Sequence, residues 1–109
     1  MRLSPLDPFM GLMRAATGFA YFSGGRYDEA ISWAKKACLE QPNFAVAWRL
    51  LAASAALAGR WDEAQKAMAR AVKLDAGFRA SNLANYATLR RPEDVARYEQ
   101  GLRLAGAPE

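Results

Sequence analysis

The stretch GGRYDEAISWAKKA, residues 24–37, is followed by GRWDEAQKAMARA, residues 59–71. Aligned on Gly25 and Gly59, the two lie 34 residues apart. Arg26 then meets Arg60, Asp28-Glu29-Ala30 meets Asp62-Glu63-Ala64, and Tyr27 meets Trp61, a swap within one class. At the same interval Ala37 meets Ala71 and Phe44 meets Phe78. Chance supplies isolated matches, not five of six consecutive positions with further matches downstream at helical spacing. The chain carries an internal repeat, residues 11–44 and 45–78, and one supersecondary unit is copied and stacked.

Each unit reads as two helices. The first begins at Asp7-Pro8, where Asp suits a cap and Pro suits the first helical position. It stops at Ser23-Gly24-Gly25, because glycine takes the left-handed conformation that ends a helix. A second helix covers about Tyr27 to Glu40, with Asp28 and Glu29 in its first turn, where the helix dipole favours negative charge. Pro42 stops it and Asn43 is placed to cap the next helix. Unit two repeats the plan: helices over about 44–58 and 61–74, with Gly59 between them. Small residues recur where two helices must approach: Gly18, Ala30, Ala34 and Ala37, then Ala52, Ala64 and Ala71. Tyr21, Tyr27, Trp48, Leu51, Trp61 and Met68 are expected to fill the gaps, each worth roughly 1.5–3 kcal/mol when fully buried.

The flanks are less regular. Pro8 stands one period before Pro42, so residues 1–10 read as the tail of a preceding unit, and the chain is expected to be the C-terminal part of a longer array. Residues 79–109 read as a degenerate, capping unit with a wetter outer face. In it, Arg79 to Leu89 is a weak helix candidate, and a helix starts at Pro92 with Val95, Tyr98, Leu102 and Ala105 as its apolar seam.

Composition narrows the function classes. No apolar run approaches the ~18 residues of a membrane span, and the N-terminus lacks a secretory core, so a cytoplasmic home is expected. There is no histidine, which removes the commonest general base and metal ligand. Ser-His-Asp and Cys-His catalysis are excluded within the chain. No catalytic, cofactor or metal site is expected. Asp28, Glu29, Asp62 and Glu63 recur at helix starts, where dipole and packing account for them. Cys38, the single cysteine, reads as a small buried hydrophobe. The formal charge is +4 with a pI near 9.6, but the basic residues are scattered. A nucleic-acid surface would need Arg79, Arg90, Arg91, Arg97 and Arg103, and Glu93, Asp94 and Glu99 interrupt that cluster.

Units of 34 residues with small residues at fixed slots and a terminal Pro resemble tetratricopeptide repeats. In GRYDEAISWAKKACLEQP the positions Gly25, Tyr27, Ala30, Ala37 and Pro42 fall on that family's motif; in AWRLLAASAALAGRWDEA so do Trp48, Leu51, Gly59 and Ala64. Arg14, Ala52, Ala55 and Ala76 depart from it. The resemblance implies an all-α fold: antiparallel helix hairpins stacked as a short right-handed solenoid. It also implies a concave surface formed by first helices that takes a protein or peptide. Mapped by slot, that groove comprises Leu12, Ala15, Phe19 and Phe22 with Val46, Arg49, Leu50 and Ala53, flanked by Ala16, Ser23, Ala56 and Leu57. Chaperone-clamping repeats carry Lys and Asn at the slots of Ala15 and Phe19, so a C-terminal carboxylate ligand is not expected. An apolar helix fits better. Equally, Phe19 and Phe22 can be covered by the protein's own preceding or following helix. Arg49 reads as a solvated arginine over Trp48 rather than an anchor for a carboxylate, and Trp33 as a contact surface or a packing residue.

The segments RLSPLDPF, LAASAALAGR and above all RRPEDVARYEQGLRLAGAPE are similar to the C-terminal repeat regions of bacterial signalling proteins. There a class III adenylate or guanylate cyclase domain, or a DNA-binding regulator domain, comes first. That likeness implies a non-catalytic interaction module of a larger protein, or its self-association or regulatory arm. A homodimer is expected if the apolar face of the first helix lacks a cover.

Overall fold

A computed structural model describes residues 8–77 and 91–107, with side chains from Met13 onward. Five helices follow in order: α1 (Pro8–Ser23), α2 (Tyr27–Glu40), α3 (Ala45–Leu57), α4 (Trp61–Leu74) and α5 (Pro92–Leu104). Among the described residues there is no strand, and no helix is long and apolar enough to cross a membrane. Of the expected tail at 1–10, residues 8–10 belong to α1; residues 1–7 and the helix candidate at 79–89 lie outside the described residues.

The turns explain why the hairpins form where they do. Gly25 has φ +77° and Gly59 φ +82°, a region that side chains disfavour. Around each glycine the hydrogen bonds are the same. The Arg26 N–H donates to the Tyr21 carbonyl at 2.9 Å, and the Arg60 N–H to the Ala55 carbonyl at 2.8 Å. This six-residue closure satisfies carbonyls that a helix end leaves unpaired. Asn43 does not cap α3: Phe44 holds that position with extended backbone, no side chain caps the helix, and the Phe44 N–H instead donates to the Gln41 carbonyl at 3.0 Å.

Packing follows the repeat. α1 pairs with α2, α3 with α4, and α2 joins the two hairpins by packing on α3. Ala30, Ala34, Ala37, Ala52, Ala64 and Ala71 are all buried. A Cβ on Gly18 would lie 2.6 Å from Leu50 Cδ2 and 3.4 Å from Trp33 Cβ, which shows how closely α1 meets its neighbours. Arg60 Nη2 reaches Asp28 Oδ1 at 3.0 Å and Lys35 pairs with Glu63, so ion pairs also bridge α2 and α4. These pairs are solvent-exposed and add little on their own. Trp61 departs from the expected filling role: it is 49 % exposed. Its counterpart Tyr27 is held by the Phe22 ring and by Arg97 of α5.

α5 is the element that the repeat alone does not place. Its Val95, Tyr98, Leu102 and Ala105 seam points inward, with the last three buried. It starts like a second helix, with Pro at its first turn and Glu93 and Asp94 behind it. It stops like a first helix. The Ala107 N–H donates to the Leu102 carbonyl at 2.9 Å and Gly106 has φ +103°, the same closure as at Gly25 and Gly59. α5 packs on α3.

Candidate functional site

The inner faces of α1 and α3 form the groove that the repeat slots indicate. Small and large residues alternate along it because one helical turn separates each pair: Ala15, Phe19 and Phe22 on α1, Leu50 and Ala53 on α3. All five are buried. Their cover is α5. The Tyr98 ring meets Phe19 edge-on, with centroids 5.3 Å apart and planes at 74°, and Phe22 at 5.6 Å and 82°. These are favoured aromatic geometries. Three residues on, Gly101 crosses Ala53. A Cβ at Gly101 would lie 2.8 Å from the Ala53 carbonyl oxygen and 3.0 Å from its Cα, so the two backbones touch. Leu102 completes the contact, fully buried.

The expected groove residues therefore divide. Phe19, Phe22 and Ala53 are met by the chain's own following helix, Leu50 lies in the same core, and Ala15 is buried. Val46 is half-buried, and Leu12 lies outside the described side chains. Arg49 corrects the expectation of a solvated side chain over Trp48. It is buried, and its guanidinium lies 3.5 Å from Asp75. Burial pushes the ionisation of the Tyr98 phenol up, and Arg49 pulls against it. Trp48 instead has Arg70 6.0 Å from its ring centroid, and its indole N–H donates to the Pro42 carbonyl at 2.8 Å. Trp33 is half-buried beside Gly18, with Lys36 Nζ 4.4 Å above its ring.

A polar cluster fixes one end of α5. Arg97 donates to the Ser23 carbonyl at 2.9 Å, to the Tyr27 hydroxyl at 3.0 Å and to the Asp94 carboxylate. Its guanidinium carbon lies 5.7 Å from the Phe22 ring centroid. Asp94 is buried in the fold. The hydrogen bond from Arg97 holds its carboxyl below the usual value; desolvation opposes this, and Arg91 and the Ser23 side chain assist it. Arg97 is shifted up by the same partnership. This cluster has a sequence signal, Asp94 and Arg97 one turn apart on a helix. Its docking on Ser23 and Tyr27 has none.

The described arginines of the expected cluster face carboxylates. Arg91 pairs with Glu93, Arg97 with Asp94 and Arg103 with Glu99, while Arg79 and Arg90 lie outside the described residues. Cys38 is buried and its thiol is pushed up to about 12 by desolvation, which suits a packing role. One open cleft, of 320 Å³, lies beside α3 and α4 and is lined by Trp48, Leu51, Glu63, Lys66, Ala67 and Arg70.

The paired hairpins, with equivalent glycine closures, coincide with a family match: a family model described as Tetratricopeptide repeat covers residues 21–91. The chain belongs to the tetratricopeptide repeat family. Tetratricopeptide repeats generally mediate protein–protein interaction and are typically non-catalytic. The match stops one residue short of α5, so the helix that closes the groove lies outside it. No curated protein matches the chain. Nothing in these comparisons supports the narrower likeness to cyclase-associated repeat regions.

Proposed function

We propose that this tetratricopeptide repeat chain is a non-catalytic protein–protein interaction module that takes an amphipathic helix across the α1–α3 face. One observation carries the reading: a helix already lies there, with Tyr98 between Phe19 and Phe22 and Gly101 on Ala53. Helix-in-groove recognition uses anchors spaced at three and four residues, which is the spacing of Tyr98, Gly101, Leu102 and Ala105. Hydrogen exchange of the chain with and without a captured partner tests it. Protection is expected in α1 and α3. A footprint confined to α2 and α4 moves the site to the outer face and refutes the groove.

Self-association is a second reading. Leu39, 82 % exposed, and Met13, 51 % exposed, support it, since large apolar side chains left open favour contact between molecules. Light scattering at high concentration decides it; a clean monomer removes it. A role as the regulatory arm of a cyclase or transcriptional regulator rests on the terminal string RRPED…GLRLAG alone. The coding sequence upstream of residue 1 tests that role, and a frame without such a domain ends it.

A further inference from the structure

We infer that α5 is a built-in competitor for the groove: a partner helix enters by displacing it, and must carry α5's own contact pattern of an aromatic residue, a glycine three positions on and a leucine beside it. This rests on the helix-in-groove reading above and adds to it the partner's sequence chemistry and the groove's regulation.

The requirement for glycine is steric. At the crossing, the Ala53 carbonyl oxygen and Cα stand 2.8 and 3.0 Å from where a Cβ on Gly101 would sit. Backbone atoms cannot rotate aside as a side-chain end can. A helix bearing any side chain there must ride higher, and its aromatic then leaves the slot between Phe19 and Phe22. The requirement for an aromatic follows from the same slot. Two rings, Phe19 and Phe22, line it and meet the Tyr98 ring edge-on.

Two observations mark α5 as an occupant of that face. α2 and α4 each pack on the helix just before them in the chain, whereas α5 packs on α3 and sets its Tyr98 against Phe19 and Phe22 of α1. The N-terminal end of α5 is tied down by a separate polar cluster, Arg97 and Asp94 on Ser23 and Tyr27, not by continuation of the hairpin pattern. A tethered segment acts at an effective concentration on the order of millimolar. A free helix therefore binds with an apparent affinity reduced by the closed fraction.

The test uses the full chain and a fluorescent peptide with the sequence of residues 91–107, read by anisotropy. In Gly101→Val the branched side chain meets the Ala53 backbone and expels α5. The peptide is expected to bind this variant at least tenfold more tightly than wild type, and a peptide carrying Gly101→Val to bind neither. Asp94→Asn, which loosens α5 without touching Ala53, is expected to bind the peptide more tightly than wild type by a smaller factor. The inference is overturned if wild type binds the peptide as tightly as Gly101→Val. It is also overturned if neither variant binds more tightly than wild type, including the case where Gly101→Val fails to fold and Asp94→Asn shows no gain. A partner footprint on α1 and α3 together with peptide failure sinks the competition and leaves the groove. A footprint on α2 and α4 sinks the groove itself.

Discussion

Gly101→Ala and Gly18→Ala make the same chemical change on two helices and are expected to differ. Each replaces glycine within a helix, which by helix propensity favours alanine by about 1 kcal/mol. Each also inserts a methyl into a filled space, which costs about 1–3 kcal/mol. The obstacle decides the balance. At Gly18 the nearest atom, Leu50 Cδ2 at 2.6 Å, is the end of a flexible side chain; Leu50 can turn, the cost falls near the low end, and the two effects roughly cancel. At Gly101 the nearest atoms are the carbonyl oxygen and Cα of Ala53. Neither can move without moving α3, so the cost falls near the high end. The net loss for Gly101→Ala is then about 1–2 kcal/mol, a fall of roughly 4–8 °C in melting temperature for a domain of this size. Gly18→Ala is expected within about 2 °C of wild type. Thermal melts followed by circular dichroism measure both. Hydrogen exchange should locate the first in α5, whose amides open before those of α1 to α4. A Gly101→Ala protein melting at or above wild type, or a Gly18→Ala protein that loses more, refutes the close crossing of α5 and α3.

Other outcomes follow from the same packing. The Asp94 carboxyl is held down by Arg97, so its folded value lies below the unfolded one near 3.9. Its stabilising contribution is present above that value and vanishes as pH falls through the folded one. Urea denaturation below about pH 4 should therefore weaken wild type more steeply than Asp94→Asn, and equal slopes would count against the buried ion pair. Ala64→Leu overpacks the α3–α4 hairpin, where Ala64 is fully buried, and should cost on the order of 1–3 kcal/mol; an unchanged melt would break the repeat alignment. Cys38, with its thiol raised to about 12, should resist a thiol reagent in the native chain and react at once in denaturant. Leu50→Ala should destabilise by about 2–5 kcal/mol, because Leu50 is core and not open groove. Partner assays on Phe19→Glu or Leu50→Glu would then report unfolding, which a melt of each variant checks.

Much of the fold is legible in the residues themselves. Gly25 and Gly59 mark two hairpin closures because a left-handed turn residue is a local requirement, met or unmet within five residues of chain. Ala30, Ala34, Ala37, Ala64 and Ala71 mark helix–helix contact because a hairpin brings its own neighbours together and only small side chains fit between them. The seam of α5 is equally local, since Val95, Tyr98, Leu102 and Ala105 lie on one face by helical spacing alone. The start of α3 differs from the residue pattern for a local reason too: Asn43 suits a cap by type, but the turn from Gln41 places Phe44 there instead.

The sequence by itself thus determined the helices, their pairing and the period of the stack, all of which depend on residues a few positions or one unit apart. Long-range packing alone settles that Phe19 and Phe22 lie under Tyr98, some 79 and 76 positions along the chain, that Gly101 rests on Ala53, and that Arg49 is buried beside Asp75. A face made apolar by its own helix requires a cover but does not name one. Which segment supplies it is fixed by where the chain returns after α4 and by the backbone contact that glycine permits there, and no local pattern records either.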